Sequence, residues 1–464
     1  MSTASKRGGM VMIAFLQAQN CSNYPGSWRH PSAMPDFLSP RHYQRIARTL
    51  EDSKFHLAFF DDRLAMPDLS GDYSAAVRHG IRSVKMDLIP LLTAMGMATT
   101  RLGLGGTYST TYYEPFHVAR TFATLDLMLE GRAAWNVVTS LNDSEAANFG
   151  AEKHLEHDLR YERADEFIEV VMGHWATWAD DAIVADRTTG LFADPAKVQA
   201  LNHVGKWFKS RGPFTVPRSQ QGHPVIMQAG QSGRGIAFAA RWAELVFASI
   251  KAKESGQAQY RVLKDAVASA GRDPHKVKIA PSIQVVVGET RALAEEKRRV
   301  VEALAVPEDS LTLISEVTNF DFSSVPLNEA MGDADMARVG AHLGLKARVV
   351  ERSGKANPSP QDFIDFSKRG TINESQVFCG TPKDVADQLE DWFLGEVCDG
   401  FVLSATHRPG GYEDFGRLVV PELQRRGLFH LDYAGTTLRE NLGLDRPVVS
   451  RPGSIAQALP DAAE

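Results

Sequence analysis

The segment Gln228-Ala-Gly-Gln-Ser-Gly-Arg-Gly235 sets Gly230, Gly233 and Gly235 between an apolar run, Pro224–Ala229, and a helix-length amphipathic stretch. Backbone N–H groups at such a helix start point outward, and the helix dipole favours an anion there. Ser232 adds a hydroxyl donor, so the chemistry on offer is phosphate binding. The plainer reading is a glycine-rich turn with Ser232 as an ordinary N-cap. Two rival motifs fail. A nucleophile elbow needs glycine where Arg234 stands. The dinucleotide fingerprint Gly-x-Gly-x-x-Gly breaks at Ser232, and near Gly103-Leu-Gly-Gly106 it breaks again at Tyr108. The chain therefore shows no NAD(P)H signature of its own.

Other polar residues sit where apolar runs end. Asn136, in Trp135-Asn-Val-Val-Thr-Ser140, is an amide inside an otherwise apolar strand and needs partners. It either bonds a ligand or bridges neighbouring strands. Thr107 closes Gly103–Thr107, with Ser109, Thr110 and Thr111 following, a hydroxyl-rich end that suits a pocket wall as well as an ordinary strand. Asp62 follows Leu57-Ala-Phe-Phe60-Asp61 and is a carboxylate at a strand end or a cap of the next segment. His157 and Tyr161 are four apart and share a face if helical. His154-x-x-His157 lacks the HExxH pattern or a carboxylate cluster, so no metal site is expected. Cys21 has no basic neighbour in sequence and reads as an inert thiol. His407 and Arg408 follow the last apolar run and are available either to an anion or to solvent.

Positioning these residues requires a scaffold with many strand ends on one side. Apolar runs begin near residues 12, 57, 102, 133, 224, 245, 279 and 400, and most are followed by an amphipathic stretch of helical period. Pro40–Ser53, for example, carries Tyr43, Ile46, Ala47 and Leu50 on one face. Eight strand–helix units predict a (β/α)8 TIM barrel, whose chemistry lies at the C-terminal rim. A single barrel domain is expected over residues 1–444, with an irregular insertion at about 180–222, a second insertion at about 305–377 with polar turns at Asp321-Phe-Ser-Ser and Asn357-Pro-Ser-Pro360, and a poorly ordered tail over 445–464.

Composition narrows the functional class. A net charge of −6 gives no overall attraction to nucleic acid or an anionic membrane, and neither is expected as a partner. With 43% hydrophobic and 23% charged residues, global disorder is excluded. Three cysteines, none in a CxxC pair, point to a reducing cytoplasm. The apolar stretch Met10–Ala18 is one strand long and lacks a cleavage pattern, and no run reaches the length of a membrane span.

Taken together, the motifs resemble the bacterial-luciferase-like flavin monooxygenases. The nearer likeness is to the group of nitrilotriacetate, dibenzothiophene sulfone and long-chain alkane monooxygenases. The resemblance runs over about residues 12–444. It is carried by Trp28-Arg-His-Pro31, Thr110-Thr-Tyr-Tyr-Glu-Pro115, Gly131-Arg-Ala-Ala-Trp-Asn-Val-Val-Thr-Ser140 and Glu156-His-Asp-Leu-Arg-Tyr161. The Gln228–Gly235 segment, Val420-Pro-Glu-Leu-Gln-Arg-Arg-Gly427 and Thr437-Leu-Arg-Glu-Asn-Leu-Gly443 continue it.

It implies an FMNH2-dependent monooxygenase of a two-component system. Such an enzyme uses O2 and reduced FMN from a separate NAD(P)H:flavin reductase to oxygenate a small aromatic, organosulfur, haloaromatic or amine substrate. Cleavage of a C–S, C–N or C–halogen bond is the expected outcome. By motif position, Ser232 with Gly230 and Gly233 holds the FMN phosphate, beside Tyr161 and His157. Asp62, Thr107, Asn136, Val138 and Ser140 surround the ring system, with Thr107 and Asn136 nearest the reaction with oxygen. Phe15, Gln17, Cys21, Trp28, Leu141 and His407 are the candidate substrate-lining residues. A homodimer or homotetramer is expected. The alternatives are a flavin- or deazaflavin-dependent reductase or dehydrogenase on the same barrel, or a non-catalytic flavin-binding protein.

Overall fold

The computed structural model describes residues 8–68, 72–140, 142–230, 233–340 and 344–448. Eight parallel strands form the barrel wall: β1 (Val11–Gln17), β2 (Leu57–Asp61), β3 (Gly103–Ser109), β4 (Ala133–Val138), β5 (Val225–Gln228), β6 (Leu245–Ala248), β7 (Lys278–Val287) and β8 (Gly400–Ser404). Each pairs with the next in chain order, and Val11 opposite Gly400 closes the ring. The strands are apolar almost throughout because each is covered on both faces. Along β1 the period of two divides the work. Val11, Ile13 and Phe15 turn inward to meet Leu57, Phe59, Ala134, Met227 and Val402, while Met12, Ala14 and Leu16 pack under the helices.

The helix layer follows the predicted pattern. Helices α1 (Pro40–Asp52), α2 (Leu88–Gly96), α3 (Pro115–Met128), α4 (His157–Trp175), α5 (Gly233–Trp242) and α6 (Lys253–Ser269) return the chain between consecutive strands. In α1, Ser39 caps the start by accepting from Arg41 N–H, and Tyr43, Ile46, Ala47 and Leu50 are buried. The first insertion is two small hairpins, Ile183–Asp186 with Leu191–Ala193 and His203–Val204 with Lys209–Ser210.

The second insertion, for which the sequence marked only polar turns, is largely helical. After α7 (Arg291–Glu302) come α8 (Pro307–Thr318) and the short helices Asp333–Arg338, Leu345–Ser353 and Pro360–Ser367. These close on their own core of Ile314, Val317, Phe320, Phe322, Val349 and Phe363. The chain then adds a further strand, Gln376–Gly380, against the upper half of β7, and α9 (Pro382–Leu394) leads into β8.

The lower end of the barrel is sealed by polar groups with many partners. Arg132 makes five hydrogen bonds to the carbonyls of Gly96, Thr99, Leu102 and Leu129 and to Thr99 Oγ1. Glu51 Oε1 accepts the N–H groups of Thr100, Arg101 and Leu102. Arg439 forks onto Glu244 at 2.5 and 2.9 Å, and Leu438, Leu442 and Leu444 plug the interior from below. Residues 445–448 remain attached: Lys276 pairs with Asp445 at 2.8 Å, and Arg446 donates to Asp180 at 2.7 Å. The rest of the predicted tail lies outside the described residues.

Candidate active site

A cavity of about 250 Å³ opens at the C-terminal end of the strands. Its floor is aromatic. Phe15, Phe59 and Phe247 are inward-facing residues of β1, β2 and β6, with ring centroids 5.3, 5.3 and 6.0 Å apart. Its wall is polar. Thr107 Oγ1 donates to Phe60 O at 2.8 Å and accepts from Asn136 Nδ2 at 2.8 Å. Those two bonds orient the amide, and Asn136 Oδ1 is left buried without a partner among the described residues. An unpaired buried carbonyl is costly unless a ligand donor meets it.

Asp62 stands beside this pair, at the end of β2, with Oδ1 accepting Arg63 N–H at 2.8 Å. Burial pushes its carboxyl up to about 7, against the pull of the Lys85 ammonium, so near neutrality it exchanges a proton readily. Val138 and Ser140 complete this side. Ser140 takes the left-handed φ of 52° and donates to Ser109 Oγ at 2.9 Å.

The far wall is the turn from β5 into α5. A Cβ built on Gly230 would lie 2.3 Å from Gln228 Nε2 and 2.7 Å from Tyr161 OH, so any larger residue would have to displace those two side-chain ends. At Gly233, the first residue of α5, a Cβ would meet nothing, so the helix start faces open space. Tyr161 stacks obliquely between His157 and Phe238, at 5.1 and 5.7 Å. His157 is itself half exposed, with Nδ1 on Asp158.

Of the sequence-predicted residues, Phe15, Asp62, Thr107, Asn136, Val138, Ser140, Tyr161 and Gly230 share this cavity. His157 and Gly233 lie just behind its wall. Ser232 and Leu141 fall outside the described residues. Four others are not on the wall. Gln17 points into the barrel at full burial, with both amide atoms unpaired among the described residues. Cys21 is buried against Gln19, and burial raises its thiol. Trp28 is 42% exposed on the rim and donates to His79 O. His407 stacks on His30 at 3.7 Å, and burial, with His30 adding to it, lowers its imidazole to about 4. Sequence reasoning missed Phe59 and Phe247 as lining residues, although the period-two pattern through Leu57 and Leu245 aims both inward. It also missed Glu145 and Gln228, which line the cavity with one buried oxygen each that is unpaired among the described residues.

A second cavity of about 360 Å³ meets the first at Asp62 and Arg63 and runs outward past Arg82, Lys85, Asp87 and Tyr113. Above it, α8 of the second insertion lowers Glu316 between two arginines. Arg82 lies at 3.3 Å and Arg63 at 3.8 Å, and Asn142 Nδ2 donates at 3.1 Å. Burial works against the Glu316 carboxylate, but Arg63 and Arg82 outweigh it and hold the group below its ordinary pKa.

A (β/α)8 barrel with polar, incompletely bonded side chains gathered at the C-terminal ends of its strands is an enzyme scaffold of the barrel-mouth class. The chain belongs to the luciferase-like monooxygenase family, whose model matches residues 20–397. It is 43% identical over 442 residues to a dibenzothiophene-sulfone monooxygenase of Rhodococcus erythropolis, covering 94% of this chain and 97% of the relative. Among solved structures, DmoA from Hyphomicrobium sulfonivorans superposes with a TM-score of 0.86 at 32% identity, covering 97% of this chain and 96% of that one. A riboflavin lyase, RcaE, solved with modified FMN and riboflavin, gives 0.86 at 29% identity, covering 97% and 99%.

Proposed function

We propose that this chain is the oxygenase component of a two-component system. It takes FMNH2 from a separate NAD(P)H:flavin reductase in the cytoplasm and uses O2 to oxygenate a small organic substrate. An aromatic or organosulfur body suits the phenylalanine floor, and cleavage of a C–S, C–N or C–halogen bond is the expected outcome. The observation that carries this reading is Asn136. Its amide is clamped by Thr107, its Oδ1 is buried and unpaired among the described residues, and it stands between an aromatic floor and a glycine turn that a Cβ would crowd.

A planar, hydrogen-bonding ring with a phosphate tail fits those parts. Asn136 and Asp62 would bond the ring edge, Ser140 and Val138 would flank it, and Gly230, Ser232, Gly233, Tyr161 and His157 would serve the phosphate end. Reduced flavin, when bound there, supplies the electrons that activate O2; one oxygen atom goes to the substrate and the other leaves as water. The protein's own part is to orient and to exclude water. Asn136 and Thr107 fix the ring's direction, Phe15, Phe59 and Phe247 keep the inner side dry, and Asp62 holds a proton at the mouth near neutral pH.

Anaerobic titration with FMNH2, followed by labelled O2 and a panel of sulfones, aminopolycarboxylates and haloaromatics, tests the reading. Reduced FMN should bind, and label should enter a product by mass spectrometry. Asn136→Ala should divert oxygen from product to hydrogen peroxide. Product formation without O2 would assign the chain to reductase chemistry instead, and no affinity for FMNH2 would remove the proposal.

A further inference from the structure

The arginines that brace the barrel are held by acceptors, although Arg160, also buried, keeps Nε unpaired among the described residues. Arg132 has its five bonds, Arg439 its carboxylate, and Arg408 Nη1 donates to Gln17 O at 2.6 Å. Arg63 departs from this pattern. Its side chain is 20% exposed and lines both cavities, yet among the described residues its guanidinium has no hydrogen-bond acceptor. The nearest carboxylate oxygen, Glu316 Oε1, stands 3.8 Å from Nε, beyond hydrogen-bond reach.

The neighbouring acids are engaged elsewhere or turned away. Glu316 is shared with Arg82 and Asn142. Asp61 is paired with Lys85 at 2.8 Å. Glu145 gives Oε1 to Leu64 N–H at 3.0 Å. Asp62 gives Oδ1 to the backbone N–H of Arg63, not to its guanidinium, and its raised pKa weakens it as a counter-charge near neutrality. Burial works against the Arg63 charge and Glu316, Glu145, Asp61 and Asp62 together outweigh it, yet none of them takes up its donors, and a guanidinium offers five donors in a planar fork that matches a carboxylate or sulfonate.

We infer that Arg63 receives an anionic group of the substrate, a carboxylate or sulfonate, while an apolar body carried by the same molecule rests on Phe15, Phe59 and Phe247. The inference rests on the proposed function only in taking these cavities as the substrate site, and it deepens that reading by naming an aryl or alkyl anion as the substrate class. Neutral analogues of the same shape would leave the Arg63 fork without an acceptor and bind more weakly.

Flavin-free protein allows the test to run without turnover. Calorimetric titration at low salt should show benzenesulfonate and benzoate binding at least tenfold more tightly than benzenesulfonamide and benzamide. Arg63→Met should bring the two classes within twofold, and Arg63→Lys should keep part of the preference. Equal affinities in the wild-type protein, or a preference that survives Arg63→Met, would overturn the inference. So would an Arg63→Met protein that loses affinity for FMNH2 while binding the anions unchanged, since Arg63 would then serve the cofactor. If Arg63→Met is insoluble, the wild-type comparison and Arg63→Lys still decide. A wild-type protein that binds no FMNH2 but keeps the anion preference would sink the proposed function and leave the substrate assignment standing.

Discussion

The two ends of the barrel handle buried polarity in opposite ways. At the lower end, Arg132, Glu51 and the Arg439–Glu244 pair sit in dense sets of hydrogen bonds that tie strand starts to the preceding turns. At the mouth, Asn136, Gln17, Gln228, Gln284 and Ser404 each keep a buried polar atom unpaired among the described residues. Both ends consist of the same strands, so the difference does not come from local propensity. The lower end is mostly completed within the chain, with Gln221 Oε1 and Asn441 Nδ2 as exceptions among the described residues, whereas the mouth gathers its open polar atoms around a cavity to be completed by something else. Polar deletions should therefore harm stability below and spare or even improve it above.

The largest test uses two glycines. A Cβ on Gly400 would lie 2.0 Å from Val11 O and 2.6 Å from Val11 C, rigid backbone in the closing pair of strands. Gly400→Ala should cost more than about 4 kcal/mol, read as loss of the cooperative urea transition. Gly230→Ala should cost only about 1–2 kcal/mol, because the atoms crowding it most closely end flexible side chains. Equal losses would erase the distinction between the ends.

Next comes the buried ion pair. Arg439→Ala leaves Glu244 uncompensated and should destabilise by about 3–5 kcal/mol in urea unfolding. A loss below about 1 kcal/mol would mean the lower end is not the anchor described here.

The pH dependence should have opposite signs at the two ends. Native Asp62, at about 7 against an ordinary 3.8, holds a proton that the unfolded chain has released, so its contribution makes stability fall as pH rises from about 4 to 7. Native His223 is held at about 3 by burial and then by Arg439, so the unfolded chain binds the extra proton, and its contribution is lost as pH falls below 6.5. Asp62→Asn should therefore gain stability over wild type with rising pH, by roughly 1–3 kcal/mol at pH 7. A pH-independent difference in urea midpoints between the two proteins would refute the assignment to Asp62.

The smallest effect has the opposite sign from ordinary core mutations. Gln17→Leu removes an amide with neither atom bonded among the described residues and should leave the flavin-free protein unchanged or stabilise it by up to about 1 kcal/mol, read from its thermal midpoint. A clear loss would show that the amide is satisfied in solution and that the mouth is less open than its side chains indicate.

Much of the barrel was legible in the sequence because strands buried on both faces must be nearly continuous apolar runs, and helices lying on them must carry one apolar face. The eight barrel strands fall where those runs do. Residues at strand ends could be read for the same reason, so Asp62, Thr107 and Asn136 meet in space. The second insertion was not legible. Helix α8 is buried along most of its length yet contains Asp309, Ser310, Thr312, Ser315, Glu316 and Thr318, so it has no polar face to set against an apolar one. Nor could Glu316 be placed, since its partners lie far away in the chain, at Arg63, Arg82 and Asn142.

The reach of Glu316 has a consequence for how this scaffold diversifies. One side chain, hung from a module with its own core, sets the electrical balance of a pocket whose walls belong to the barrel. A shift of α8 by one residue would withdraw that charge and free two guanidiniums while leaving the barrel sequence untouched. The appetite of the pocket can thus be retuned from outside it, by changes in a segment that contributes none of the barrel strands.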